Sequence, residues 1–191
     1  MRIILASKSP RRIEILQEHG FEPEVIPAHI EETLPEGITP EDAVMFLSLK
    51  KALWVEARLS EQEDPSEETL IIASDTIVYK DRIIGKPSDR EDAYAMLDAI
   101  RGDVHQVYSG VALIMAGETR RRAFYERTDV FCRDVPEDEL LAYIDTPEPY
   151  DKAGGYAIQE TFGKYIDHIE GDYENVVGFP YPRFCRELEL L

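Results

Sequence analysis

Short apolar runs alternate with stretches of helical periodicity through the first half of the chain, a pattern typical of α/β proteins. Runs rich in β-branched and aromatic residues predict strands at 2–6, 22–27, 70–73, 105–115, 120–130, 156–159 and 164–169. Apolar residues at helical spacing predict helices at 9–20, from 39 past 55, and at 89–100, 136–144 and 182–191. We therefore expect an α/β fold in which helices flank a central sheet.

Several boundaries between these elements carry signals of their own. Ser9 is the predicted N-cap of the first helix and is followed by proline, which suits a first helical turn. The continuous apolar run at 70–73 is typical of a strand buried on both faces. Hairpins are predicted over 76–84 and at 116–119, and an acidic loop is predicted over 60–68.

Composition narrows the class of protein. The chain has 191 residues, of which 43% are hydrophobic, so we expect one globular domain over 1–191 rather than a disordered chain. Lys and Arg number 21 against 39 Asp and Glu, a formal charge of −18. Binding to nucleic acid requires a positive face that neutralises phosphates, so this charge disfavours nucleic acid as a partner. A small anion can be bound only where cations collect locally.

Other features favour a cytoplasmic protein. No apolar run approaches the roughly 20 residues that span a bilayer, and the run at 2–6 is too short for a signal peptide, so we expect no membrane partner. Cys132 and Cys185 are far apart and form no C-x-x-C pair, which predicts free thiols in a reducing compartment. The four histidines are scattered, which disfavours a histidine metal cluster.

Basic and hydroxyl residues collect at three places, and the first is 7–12. There Ser7, Arg11 and Arg12 surround the N-terminus of a predicted helix, as an anion site requires. The alternative is a capped helix with two solvated arginines.

The second place follows the buried strand at 70–73. Asp75 lies between two hydroxyl residues, where the end of a strand in an open α/β sheet lines the ligand crevice, so it is placed to hold a metal or a water. Lys86, in the Gly/Pro turn at 85–87, suits a positioned phosphate ligand. The alternative is an Asx turn with an exposed lysine.

The third place, 151–159, puts a charged pair before a glycine turn that allows close backbone approach. Gln159 offers a donor and an acceptor, as recognition of a base edge requires, and a plain loop is the alternative. Glu31, Glu32 and Lys51 are lesser candidates, because charged residues in so acidic a chain usually belong to its surface.

Taken in order, these segments resemble the Maf family. The motifs are S-x-S-P-R-R from Ser7, S-D-T-I-V from Ser74 with G-K-P from Gly85, H-x-V-x-S-G-V from His105, D-K-A-G-x-Y-x-I-Q from Asp151 and N-V-V-G-F-P from Asn175. They span nearly the whole chain, and five ordered matches are far more specific than one. The resemblance implies a nucleoside triphosphate pyrophosphatase with an inosine-triphosphatase-like fold: a mixed twisted sheet, flanking helices and a deep cleft between two lobes.

The resemblance also implies roles for single residues. Asp75 becomes the proton acceptor, and Arg11, Thr76 and Gln159 match the branch of the family that hydrolyses dTTP and UTP, in which these positions select the substrate. Phosphate contacts are implied for Ser7, Arg12, Lys51 and Lys86.

A divalent metal, Mg²⁺ or Mn²⁺, is implied as cofactor, with Glu31 as a ligand. Dimers occur in the family, so a homodimer is expected. Ala157, Glu160 and Phe179 depart from the residues common in the family and bear on the shape of the base pocket.

The implied reaction is hydrolysis at the α-phosphorus, which yields a nucleoside monophosphate and pyrophosphate. Asp75 either takes the proton from the attacking water or binds the metal that lowers the pKa of that water, and the sequence leaves both roles open. The rival function is a non-catalytic nucleotide-binding regulator of cell division and septum formation, which would bind a triphosphate without releasing pyrophosphate.

Overall fold

The computed structural model of the protein describes residues 1–62 and 68–191. Within these residues there are seven strands: β1 (Arg2–Leu5), β2 (Glu24–Val25), β3 (Thr69–Lys80), β4 (Arg82–Ile84), β5 (Val104–Met115), β6 (Arg121–Cys132) and β7 (Ile166–Glu170). The helices are α1 (Pro10–Glu18), α2 (Pro40–Gln62), α3 (Arg90–Ile100), α4 (Glu137–Ile144), α5 (Tyr173–Val177) and α6 (Tyr181–Glu189). Short 3₁₀ helices cover Glu148–Asp151, Ala153–Gly155 and Thr161–Tyr165. Most of the acidic loop predicted over 60–68 lies outside the described residues.

The strands form one mixed sheet in the order β2-β1-β3-β5-β6-β7, with β4 paired to β3. β1 is parallel to both β2 and β3, and Ile4 is the partner of Glu24 on one side and of Ile71 on the other. Parallel neighbours need a crossover connection, which α1 supplies between β1 and β2 and α2 supplies between β2 and β3. The β3/β4 and β6/β7 pairs are antiparallel. The predicted α/β class with a mixed sheet is confirmed.

The chain divides into two compact units, in agreement with the two lobes expected. Unit 1 comprises Met1–Asp75, Ser109–Glu126 and Gly178–Leu191, and unit 2 comprises Thr76–Tyr108 and Arg127–Val177. Strands β3, β5 and β6 each pass from one unit into the other. Because segments of both units alternate along the chain, neither unit corresponds to a continuous half of the sequence.

Unit 1 is built on strands whose side chains are buried on both faces. Ile4 and Leu5 of β1 and Ile71 and Ile72 of β3 are all 0% exposed, which explains their continuous apolar runs. Ala52 of α2 belongs to the same buried cluster as Ile4 and Ile71, so α2 covers this part of the sheet.

A glycine sets how closely α2 approaches the sheet. A Cβ on Gly110 of β5 would lie 2.4 Å from the carbonyl carbon and oxygen of Val44 in α2, a distance that no real Cβ tolerates. The bare backbone of Gly110 therefore lets α2, and with it Lys51, sit close to the strands.

Unit 2 has its own core, in which α3 and α4 pack with the strands. Leu97 and Ile100 of α3 share a buried cluster with Val78 of β3, and the rings of Tyr143 and Phe162 lie 5.1 Å apart in the same cluster. The apolar face predicted for the helix at 89–100 is therefore the face that is buried.

Several predicted boundaries need correction. The strand predicted at 70–73 extends over Thr69–Lys80, so Asp75 lies inside β3 and not after its end. Within the segment predicted at 22–27, strand β2 covers only Glu24–Val25. Ser9 occupies the N-cap position of α1, but within the described residues its side chain makes no capping hydrogen bond.

The strand predicted at 156–159 is wrong, because Tyr156 and Ala157 lie in irregular backbone and 158–159 form a turn. Gly154 and Gly155 adopt left-handed φ values of +71° and +74° just before it, and the apolar Tyr156 and Ala157 are buried without pairing in the sheet. The hairpin at 76–84 is confirmed, with Asp81 at φ +58° in its turn. Helix α5 was not predicted. Among the described residues, no helix combines the length and the apolar character needed to cross a membrane.

Candidate active site

Asp75 is a buried carboxylate in the interior of the sheet. It lies in β3, follows the fully buried Ser74, and is itself only 7% exposed. Its Oδ1 accepts a hydrogen bond from Lys51 Nζ at 2.5 Å. A buried carboxylate with a cationic donor is the kind of group whose proton affinity a protein can tune for acid–base chemistry.

Lys51 joins two carboxylates. Its Nζ lies 2.5 Å from Asp75 Oδ1 and 2.7 Å from Glu32 Oε1, and its side chain is 12% exposed. Helix α2 presents this lysine to β3. Two carboxylates and one shielded ammonium are therefore assembled from three separate segments of unit 1.

Arg12 is held by two acceptors. Its Nη1 donates to Ser7 Oγ at 3.1 Å, and its Nε donates to the Gly178 carbonyl at 3.0 Å. The hydroxyl of Ser74 also donates to the Gly178 carbonyl, at 3.3 Å, and the backbone N–H of Ser9 donates to Ser7 Oγ at 3.2 Å. Ser7, between β1 and α1, and Gly178 in the C-terminal segment thus orient one guanidinium, and Ser74 of β3 shares the Gly178 carbonyl.

Burial dominates the electrostatics of this group. Burial raises the pKa of Asp75 above its ordinary value, although the charges of Lys51 and Arg12 oppose the rise. Burial likewise lowers the pKa of Arg12, and Asp75 opposes that shift, while the charge of Arg11 adds to it. Asp75 and Arg12 therefore stabilise one another's charges, but solvent exclusion outweighs the attraction.

The neighbouring glutamates differ in what they contact. The side chain of Glu31 is exposed, and its backbone carbonyl accepts from Lys50 Nζ at 2.6 Å. The carboxylate that meets Lys51 belongs to Glu32. Both side chains are exposed, that of Glu32 by 57%, and although the sequence flagged both, nothing in their local pattern marks Glu32 as the one that contacts Lys51.

A divalent cation fits this set of donors. No group of three or more His, Cys, Asp or Glu side chains that could hold a metal occurs in residues 1–62 and 68–191. Mg²⁺, however, commonly takes only one or two carboxylates and completes its shell with water and substrate phosphates. Glu32 and Asp75, on the same ammonium, are hard oxygen donors of the right kind.

The remaining predicted residues are divided between the units. Arg11 lies half-buried beside Arg12 in α1, within unit 1. Thr76 follows Asp75 in β3, and by the alternation of a strand its side chain points to the opposite face of the sheet. Thr76, Lys86 and Gln159 belong to unit 2.

Unit 2 brings two of the predicted places together. The backbone N–H of Gly154 donates to the Gly85 carbonyl at 2.9 Å, and a Cβ on Gly155 would contact Pro87. The turn at 85–87, which carries the exposed Lys86, therefore packs beside the glycine turn that precedes the exposed Gln159.

The sequence missed one contributor to the site in unit 1. Gly178 lies in the N-V-V-G-F-P segment, yet its role as the acceptor for Arg12 and Ser74 was not foreseen. A backbone carbonyl carries no side-chain signal, and it lies 166 residues from Arg12 in the chain. Taken together, unit 1 offers a buried carboxylate for proton transfer and two shielded cations for binding an anion.

Comparison with known proteins adds to this geometry. The family model described as Maf-like protein matches residues 2–191. A dTTP/UTP pyrophosphatase of Acetivibrio thermocellus is 42% identical over 183 residues, covering 96% of this chain and 92% of that one. Proteins with the same name from Caldicellulosiruptor bescii and Bacillus anthracis are each 43% identical and cover 100% and 98% of this chain and 94% of their own.

Among solved structures, the Ham1 protein of Staphylococcus aureus matches with a TM-score of 0.41 and 12% identity, over 70% of this chain and 73% of that one. At that score the likeness bears on neither fold nor function.

Proposed function

The chain belongs to the Maf family, and from that membership we propose that it is a hydrolase of acid anhydrides that converts dTTP and UTP into the nucleoside monophosphate and pyrophosphate. Relatives that cover nearly the whole chain carry the name dTTP/UTP pyrophosphatase, so the rival function of a non-catalytic regulator is not favoured. The observation that carries the proposal is the buried Asp75 with the partly buried Lys51 and Arg12 in unit 1.

Asp75 is proposed as the proton acceptor for the attacking water. A general base must be ionised at the working pH and still bind a proton well, and burial raises the pKa of Asp75 in that direction. Lys51 donates a hydrogen bond to the same carboxylate, so it orients the carboxylate and limits how far its pKa rises.

Arg12 and Lys51 are proposed to bind the triphosphate. A chain with a charge of −18 can hold a polyanion only through shielded cations, and these two are held in place before substrate arrives. The hydroxyl of Ser7 orients the guanidinium of Arg12, and Lys86 is proposed as a further phosphate contact. Preorganised cations stabilise charge that develops on the departing pyrophosphate.

A divalent metal, Mg²⁺ or Mn²⁺, is proposed as cofactor. When bound, such an ion supplies Lewis-acid activation of a phosphoryl oxygen and neutralises phosphate charge. Glu32 is proposed to hold it beside Asp75 because both carboxylates contact Lys51, while Glu31 is the ligand expected from the resemblance; the side chains of Glu31 and Glu32 are both exposed.

Base selection is proposed for Arg11, Thr76 and Gln159, on the resemblance stated above. We also propose that the protein works in the cytoplasm, in keeping with the two free thiols in the described part of the chain, Cys132 and Cys185. The expected homodimer stays a prediction.

A pyrophosphate-release assay tests the function. The panel is dTTP, UTP, dCTP, CTP, ATP, GTP, ITP and 7-methyl-GTP, each with and without Mg²⁺ or Mn²⁺. We expect metal-dependent release that is fastest with dTTP and UTP. Release led by another nucleotide would overturn the substrate, and triphosphate binding without any release would favour the regulator.

A further inference from the structure

Gln159 is carried by a short turn that packs against the backbone of Gly163, since a Cβ there would meet the Ile158 carbonyl. Within it, the Glu160 N–H donates to the Ala157 carbonyl at 3.2 Å, and the Gly163 N–H donates to the Glu160 carbonyl at 2.9 Å. The Gln159 side chain is exposed. An exposed amide can discriminate between bases only if the backbone beneath it is held in one conformation.

A buried lysine lies under this turn. Lys152 is 6% exposed, and its Nζ donates to the Glu148 carbonyl at 2.8 Å and to Asp151 Oδ1 at 2.7 Å. The same Nζ lies 3.0 Å from Glu160 Oε2. Burial alone would lower the pKa of Lys152, but its hydrogen bonds to Asp151 and Glu160 outweigh burial and raise it. The Lys152 ammonium therefore stays charged and can hold a carboxylate in place.

The two carboxylates on Lys152 are not equivalent. The side chain of Asp151 is 72% exposed, whereas that of Glu160 is 34% exposed. An ion pair gains strength as water is excluded, so the Glu160 contact is the better shielded of the two. Glu160 is also the residue next to Gln159, while Asp151 lies on the other side of the glycine turn.

The start of the segment is held independently. The Tyr156 hydroxyl is hydrogen-bonded to His105 Nε2 at 2.5 Å, and both residues are buried. The other end is held by the buried Phe162, by the hydrogen bond from Thr161 Oγ1 to Glu148 Oε1 at 2.7 Å and, nearest to Gln159, by the side chain of Glu160 on Lys152.

We propose that the ion pair between Glu160 and Lys152 holds the turn in the conformation in which Gln159 reads the base, which makes Glu160 a positioning residue for substrate selectivity. The inference rests on the proposed function, which places Gln159 at the base. The Glu160 carboxylate is held on Lys152, so its loss should alter the discrimination between bases and leave the chemical step intact.

The test compares three variants of the full chain for pyrophosphate release from UTP and CTP. Glu160→Gln removes the charge and keeps the shape, Asp151→Asn removes the other carboxylate from the same ammonium, and Gln159→Ala removes the base-reading amide. We expect Glu160→Gln to lower the ratio of kcat/KM for UTP over CTP by about three- to tenfold, the range of a partly shielded ion pair. The change should lie in KM for UTP, with kcat within about twofold of wild type.

The control and the outcomes separate the two proposals. Asp151→Asn should leave the ratio within about twofold of wild type. An unchanged ratio in Glu160→Gln beside a lowered ratio in Gln159→Ala would overturn the positioning role alone. Equal falls of this ratio in Glu160→Gln and Asp151→Asn would also overturn the positioning role, because the charge balance at Lys152, and not the position of the turn, would then explain the change. An unchanged ratio in Gln159→Ala would instead refute base reading by Gln159. Thermal unfolding of each variant confirms that it is folded.

Discussion

Replacing Asp75 by asparagine removes the proposed proton acceptor and keeps the contact with Lys51. Asparagine keeps the size of the side chain and a carbonyl oxygen that can accept the hydrogen bond from Lys51, which Asp75 now accepts at 2.5 Å. It cannot take a proton from water. We therefore expect kcat to fall by about 10²- to 10⁴-fold, the usual contribution of a general base.

The effect on stability follows from the same contacts. Exchanging a charged for a neutral hydrogen bond costs about 1–2 kcal/mol, and the variant avoids burying a carboxylate whose pKa burial has raised. Lys51 is not left alone, because Glu32 remains 2.7 Å from its Nζ. These opposing effects should keep the free energy of unfolding within about 2 kcal/mol of wild type.

The contribution of Asp75 to the free energy of unfolding changes with pH in a definite direction. The pKa of Asp75 is higher in the folded than in the unfolded state, so its ionisation destabilises the fold, and stability is lost as the pH rises through the raised pKa. Asp75→Asn should lack this loss. Chemical denaturation of both proteins across the acidic range measures the difference.

The assay is steady-state pyrophosphate release from UTP with Mg²⁺, with circular dichroism as the check on folding. Asp103→Asn is the matched control, because Asp103 also pairs with a lysine, Lys80, at 2.6 Å, but is 56% exposed and lies in unit 2. That control should retain wild-type turnover. A folded Asp75→Asn protein that turns over within about tenfold of wild type would refute the role of Asp75 as general base.

Three further predictions follow from single contacts. In Arg12→Lys, the single ammonium cannot donate to both Ser7 Oγ and the Gly178 carbonyl while it contacts phosphate, so KM for UTP should rise about tenfold. An unchanged KM would argue against phosphate binding by Arg12. Burial lowers the pKa of His105 from its ordinary value of 6.5 to about 4, so the free energy of unfolding should fall by about 3 kcal/mol as the pH drops from 6.5 through 4. His105→Asn should remove this dependence on pH in denaturation measurements, and an equal dependence in both proteins would contradict the role of His105. Gly110→Ala places a Cβ 2.4 Å from the Val44 carbonyl, so the free energy of unfolding should fall by about 1–3 kcal/mol, and turnover should fall as α2 and Lys51 shift. Thermal unfolding measures this loss, and a variant as stable as wild type would show that β5 and α2 can separate without cost.

Local sequence signals predicted much of the fold. The helices at 89–100 and 136–144 and the two long strands that begin near 105 and 120 agree with α3, α4, β5 and β6 to within a few residues. The apolar spacing of the two helices is regular and marks the faces that they bury, whereas β5 is buried on both faces over most of its length. The segment at 156–159 was mistaken for a strand because burial in irregular backbone and burial in a strand select the same apolar residues.

Motifs located the candidate site, but contacts between distant segments assembled it. The sequence alone determined most of the order of elements, the acidic character of the chain and the positions of its local cations at 7–12, 85–87 and 151–159. Only the tertiary structure decided that Glu32 and not Glu31 meets Lys51, that the Gly178 carbonyl holds Arg12, and that burial raises the pKa of Asp75. The physical reason is range: periodicity and capping act over a few residues, whereas these contacts join parts of the chain that only folding brings together.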